Sequence, residues 1–119
     1  MTDRYVIEIP WRIPLLNEFL SMHWSKRMNY SKQVAAEIAV AIPKHKRPLK
    51  PWDKWSILVE RESTKAPDPG AIWGGAKPIP DVLQPVSKKH PRGLGIVRED
   101  SPDSLIAYAE LHVQGPQVD

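Results

Sequence analysis

Three stretches of the chain alternate hydrophobic and polar residues in the pattern of β-strands. The first is "YVIEIP", where alternate side chains are apolar and Pro10 ends the run. The second is "WSILVERE", which begins at Trp55, and the third is "LIAYAELHV", which begins at Leu105. Because successive side chains of a strand point to opposite faces, each stretch has one face suited to a core.

Between the first two predicted strands, "YSKQVAAEIAVAI" has the spacing of an amphipathic helix. Ser31 is a suitable cap for its start, its alanines raise helix propensity, and Pro43 ends it. The residues expected on its apolar face are Val34, Ile38, Ala41 and Ile42.

Residues 63–80 lose this periodicity and are rich in proline and glycine, which predicts a long loop. A short helix is then predicted after Asp81, because Val82, Leu83 and Val86 have helical spacing and Pro85 is tolerated only in a first turn. The element order is therefore strand, helix, strand, short helix, strand. It predicts one small α/β (α+β) domain over residues 1–119, with a mixed three- to four-stranded sheet covered by helices on one face.

The composition narrows the class of protein. A length of 119 residues suits a single domain, and the absence of cysteine excludes disulfides and thiolate metal sites. No apolar run approaches the roughly 18 residues needed to cross a membrane. The start, "MTDRYVIEIPW", lacks the apolar core of a signal peptide. We therefore expect a cytoplasmic protein that does not bind a membrane.

The charge is mildly basic, with a net +3 at pH 7. This value is compatible with a polyanionic partner but does not require one. A proline-punctuated loop, "PKHKRPLKPWDK", concentrates positive side chains. Such a run occurs both at nucleic-acid interfaces and on ordinary solvated surfaces. Likewise, the 5 tryptophans suit either packing or base stacking.

Carboxylates are the remaining candidates for chemistry, because the sequence has no helical histidine pair, phosphate-binding glycine loop or serine nucleophile elbow. Asp81 precedes the predicted short helix, and Glu99 and Asp100 follow the next turn. A helix–turn hairpin would bring Asp81 and Asp100 together, and their oxygens suit Mg²⁺ or Mn²⁺. Acids near turns also cap helices or remain solvated, so this alternative stays open.

A series of short motifs along most of the chain also occurs in the order of a known protein family. "IPWRIPLLNEFLSMHW" carries Pro14, Asn17, His23 and Trp24, and the alanine-rich helix follows it. "IPDVLQPVSK" carries Asp81, Leu83, Pro85 and Lys88, and "GIVREDSPD" carries Gly95, Glu99, Asp100, Ser101 and Pro102. This order resembles the RusA family of Holliday-junction resolvases, particularly its phage-borne members. The family has Asp-x-Asp-Asn-Leu and Gly-Val-(Ile/Val)-x-Asp-Asp-x-Pro at these two places.

The resemblance implies an α/β fold, a homodimer and Mg²⁺-dependent cleavage of four-way DNA junctions in recombination and repair. It implies that Asp81 and Asp100 bind the metal with help from Glu99, and that Lys88 faces the scissile phosphate. The side chains expected to contact DNA are Lys44, Lys46, Arg47, Lys50, Lys88, Lys89 and Arg92.

The chain departs from the family pattern at two positions. Ile79 stands where the family has its first acid, and Val82 where it has asparagine. Asp68 is a possible substitute ligand. The alternative function is therefore an inactive RusA-like fold that binds DNA or a host protein, with the loop from Lys65 to Pro80 as the contact surface for a protein partner.

Overall fold

The computed structural model describes residues 4–115. In chain order, its elements are α1 (Leu16–Ser21), α2 (Trp24–Ala41), a 3₁₀ turn (Lys44–Lys46), β1 (Trp55–Ser63), α3 (Ala71–Gly75), α4 (Pro78–Leu83) and β2 (Leu105–Gln114). The predicted small α/β domain is confirmed, but the sheet of these residues has 2 strands rather than three or four. Within residues 4–115, no helix combines the length and apolarity required to cross a membrane.

The sheet consists of β1 and β2 in parallel register, and both strands were predicted. Ile57 lies opposite Tyr108, and Val59 lies opposite Glu110. Burial alternates along β1 as its sequence predicted, because Trp55 and Val59 are buried on the helix-covered face. The opposite face is exposed and mixed in character, because Leu58, Leu111 and Val113 lie there beside Glu60 and Glu62.

The prediction of a strand at residues 5–10 is wrong. Tyr5, Ile7 and Ile9 are half-buried against the core as the alternation indicated, but the segment pairs with no strand among the described residues. Residues 4–13 and β1 both line an open cleft of about 1540 Å³. Alternation decides which side chains face a core, whereas a strand also needs a neighbouring backbone as its hydrogen-bonding partner.

Helix α2 begins at Trp24, so the prediction that Ser31 caps its start is wrong. His23 is the cap: its Nδ1 accepts a hydrogen bond from the amide of Ser25 at 3.3 Å. The helix extends further because Tyr30 continues the buried row of Val34 and Ile38 by one more turn. Ile42 is buried as predicted, whereas Ala41 is exposed.

Residues 63–80 are not one loop, because they contain α3 and the start of α4. Gly75 allows α3 to approach the preceding chain closely: a Cβ atom there would lie 1.7 Å from the carbonyl oxygen of Pro14. Helix α2 also holds α3, since Tyr30 Oη donates to the Gly75 carbonyl at 2.9 Å. Tertiary packing therefore stabilises a helix that its two glycines disfavour.

The short helix predicted after Asp81 starts earlier, at Pro78, so Asp81 lies inside α4 rather than before it. Proline suits the first turn of a helix because the amide it lacks has no partner there. The helix ends at Leu83, just before Pro85, and Val86 is exposed. Every residue of α4 except Asp81 is buried, so this helix is part of the core.

Candidate functional site around Asp100

The chain after α4 turns back and packs along the end of that helix. The Leu94 amide donates to the Val82 carbonyl at 2.8 Å, and the Ile96 amide donates to the Leu83 carbonyl at 2.9 Å. Val97 then bridges to Trp52, just before β1. These contacts bury Ile96 and Val97 and hold the following turn between α4 and the start of β1.

Hydrogen bonds within the turn at residues 98–104, and from this turn to the start of β1, hold it in place. Trp55 Nε1 donates to the Glu99 carbonyl at 2.7 Å, and Ser104 Oγ donates to the Asp53 carbonyl at 2.7 Å. The amides of Ser104 and Leu105 both donate to the Ser101 carbonyl. The exposed side chain of Asp100 is therefore presented from a turn that is anchored on both sides.

Asp100 lies at a cleft of about 230 Å³. The cleft is lined by Trp73, Gly74, Lys77, Pro80, Asp100, Leu105 and Tyr108. The turn that carries Asp100 thus meets α4, on which Asp81 directly follows Pro80. Asp81 is half-buried and is not itself among the lining residues.

Glu99, the third predicted metal ligand, is engaged elsewhere. Its carboxylate accepts Arg98 Nη1 at 2.8 Å, and Arg98 Nε binds the carboxylate of Asp53 at 2.7 Å. A metal would have to compete with this ion pair. Among residues 4–115, no group of three or more histidine or acidic side chains is placed to hold a metal ion.

The other two positions tied to the predicted metal site also lie apart from the cleft. Ile79, where the family has an acid, is packed in the core with 8% of its surface exposed. Asp68 is exposed before α3, where its carbonyl accepts the Ala71 amide, and it does not line the cleft. Of the predicted metal ligands, Asp100 lies on the wall of the cleft and Asp81 lies on α4 next to it, while the carboxylate of Glu110 accepts the amide of the lining residue Trp73.

The predicted DNA-contacting side chains lie on two loops, one after α2 and one after α4. Lys44, Lys46, Lys50, Lys88 and Lys89 are exposed, while Arg92 and Arg47 are half-buried. Arg47 also has a structural contact, because its Nε donates to the Ile42 carbonyl at the end of α2 at 3.0 Å. None of these seven lines the cleft; its cation is Lys77, which the sequence did not single out.

Sequence reasoning also missed the aromatic wall of the cleft. Trp73 and Tyr108 stack with ring centroids 4.7 Å apart and an interplanar angle of 16°. Trp73 comes from the predicted loop and Tyr108 from the last strand, so no local spacing connects them.

A scan against protein-family models, a search of curated proteins and a search of solved structures each found no match.

Proposed function

We propose that this protein binds branched DNA and cleaves it with Mg²⁺ or Mn²⁺, as RusA-type resolvases do. The proposal is carried by one observation: the Asp100 turn and α4, which carries Asp81, meet at a single cleft. Asp81 and Asp100 would hold the metal, and Lys77 adds a positive charge at the same place.

The side chains of Asp81 and Asp100 are of the type that a hard cation prefers as ligands. Mg²⁺ usually keeps several waters and is bound by one or two carboxylates together with substrate phosphates, so two acids suffice. When bound, such a cation activates water and stabilises charge on a phosphate. Lys77 would attract the phosphate at the cleft, and the exposed Lys88 and Lys89 would neutralise the backbone beyond it.

A second candidate function is a non-catalytic RusA-like module that binds DNA or a host protein. Two observations favour it: Ile79 faces the core at the family's acid position, and Glu99 is paired with Arg98. Both functions are compatible with a homodimer. On the exposed face of the sheet, Leu58 and Leu111 would offer a second copy apolar contacts, and Glu60 and Glu62 would flank them.

Cleavage of a synthetic four-way junction in Mg²⁺ or Mn²⁺ tests the proposal. We expect the wild-type protein to cut, and Asp81→Asn and Asp100→Asn to lower the rate by about 100-fold or more, because each removes a charged metal ligand. Asp103→Asn is the matched control, since it is an exposed acid in the same turn. It should cut at the wild-type rate.

Two results would contradict parts of this proposal. If the wild-type protein binds the junction but never cuts it, the catalytic function is wrong and the binding module is supported. If Asp100→Asn cuts as fast as the wild-type protein, the metal site has been assigned to the wrong residue.

A further inference from the structure

One wall of the cleft beside Asp100 is an exposed aromatic surface. Tyr108 keeps 60% of its surface exposed although it stacks on Trp73. Leu105 and Pro80 extend this wall with apolar surface. Aromatic faces left open in a cleft are a typical feature of sites that bind flat ligands.

The aromatic wall is also held rigidly. The Trp73 amide donates to Glu110 Oε1 at 3.2 Å, which ties α3 to β2 two residues beyond Tyr108. On its other side, α3 packs against α1 and is bonded to α2 through Tyr30. The stacking surface therefore exists before any ligand binds, so little ordering entropy opposes binding.

The size and charges of the cleft restrict its ligand. A volume of about 230 Å³ lies below the range of roughly 300–1,000 Å³ that holds drug-sized molecules, so it suits a single planar ring. Lys77 supplies a cation for a phosphate, and the stacked Trp73 and Tyr108 supply an aromatic surface for a ring. A flat ring with a phosphate attached is a nucleotide.

We propose that this cleft binds one unstacked nucleobase of the DNA, with its ring against Tyr108 and its phosphate towards Lys77. This inference rests on the proposed DNA-binding function and extends it to the choice of substrate. A base inside a duplex must be unpaired and unstacked before it can enter such a cleft, whereas a base at a branch or bulge is already partly free. The aromatic wall would thereby select branched DNA over continuous duplex.

Binding to three matched DNAs tests this, by fluorescence anisotropy in EDTA so that no cleavage occurs. The DNAs are a duplex with a one-nucleotide bulge, the same duplex with an abasic residue in the bulge, and the uninterrupted duplex. The wild-type protein should bind the base-bearing bulge about 5- to 150-fold more tightly than the abasic one, the range for stacking one base on an aromatic side chain.

Three variants assign the effect to the ring of Tyr108. Tyr108→Ala should reduce the preference for the base-bearing bulge to nearly one, whereas Tyr108→Phe, which keeps the ring, should retain it. Val40→Ala is the matched control, since Val40 is an exposed apolar side chain on α2 and does not line the cleft. It should behave as the wild-type protein does. Thermal unfolding followed by circular dichroism checks that each variant is folded.

The outcomes separate this inference from the proposed function. Equal, salt-dependent binding of all three DNAs would overturn the base-binding cleft while leaving DNA binding intact. A folded Tyr108→Ala variant that keeps the preference would overturn it too. Binding of none of the DNAs would overturn both proposals. A base preference without any cleavage of four-way junctions would support the cleft and contradict only the catalytic function.

Discussion

At the scale of single residues, buried polar side chains join segments that are distant in the sequence. Arg61 is buried, and its Nε donates to the Ile13 carbonyl at 2.7 Å. Burial lowers the pKa of Arg61, with a further lowering from Arg12 and a partial offset from Glu18. Tyr30 joins α2 to α3 in the same way. Loss of either side chain would leave a buried carbonyl without a hydrogen-bonding partner. The free energy lost in this way exceeds the net stabilisation that the hydrogen bond contributes.

Tyr30 gives a prediction about pH. Burial raises the pKa of Tyr30, so the folded state keeps its phenolic proton when the unfolded chain, with a pKa of about 10, begins to lose it. This contribution to stability is complete below about pH 10 and is lost as the pH rises towards the folded value. Tyr30→Phe should be less stable by about 1 kcal/mol at pH 8 and should lose less stability than the wild-type protein between pH 8 and 10.5.

Urea denaturation at those two pH values measures the difference. The gap in unfolding free energy between the two proteins should narrow as the pH rises, by up to about 1.4 kcal/mol per pH unit above the unfolded pKa. If the difference in unfolding free energy between the two proteins stays constant, Tyr30 has the same pKa in the folded and unfolded states.

At the scale of elements, sequence reasoning succeeded for long periodic segments and failed for short ones. β1 and β2 have 9 and 10 residues, enough for alternation to be recognised. α3 and α4 have 5 and 6 residues, too few to establish a helical period, and their glycines and prolines resemble a loop. The motifs placed Asp81 and Asp100 at one site, and the convergence of these two carboxylates stays a prediction, whereas the pairing of Trp73 with Tyr108 depends on tertiary packing that no local spacing indicates.

The two glycines of α3 provide a matched pair of substitutions. Gly75→Ala should destabilise the protein by about 1–3 kcal/mol or more, because the added Cβ would meet the backbone carbonyl of Pro14 at 1.7 Å. Gly74→Ala should cost less, since its added Cβ would meet the Leu16 side chain at 2.8 Å and the Leu16 Cβ at 2.9 Å rather than a backbone oxygen at 1.7 Å, so a small shift of α1 relieves it, and alanine also raises helix propensity. Thermal unfolding of both variants measures this, and equal melting temperatures would contradict the close approach at Gly75.

At the scale of the whole molecule, the distribution of positive charge determines how the protein would bind DNA. The net charge of +3 is small, so DNA binding would depend on the clustered lysines rather than on a general attraction. The exposed Lys44 and Lys46 lie in the turn after α2, and Lys88 and Lys89 lie after α4. Phosphate contacts at these loops would make affinity fall steeply with salt.

The salt dependence of junction binding tests this distribution of charge. A plot of log affinity against log salt concentration should have a negative slope of about 0.9 per phosphate contacted, and Lys44→Glu should make it shallower by roughly that amount. Lys32→Glu is the control, because it changes the net charge equally at an exposed position on α2. A slope near zero would indicate that the partner is not DNA.

The parallel pairing of β1 with β2 has a consequence for folding during translation. Ser104, at the entrance to β2, bonds Asp53, which lies 51 residues earlier. On the ribosome, β1 therefore emerges several seconds before its neighbour is translated, at about 5–20 residues per second. During that interval the backbone of β1 lacks its hydrogen-bonding partner, so the nascent chain displays an unpaired strand edge. Slower translation between β1 and β2 would lengthen this exposure.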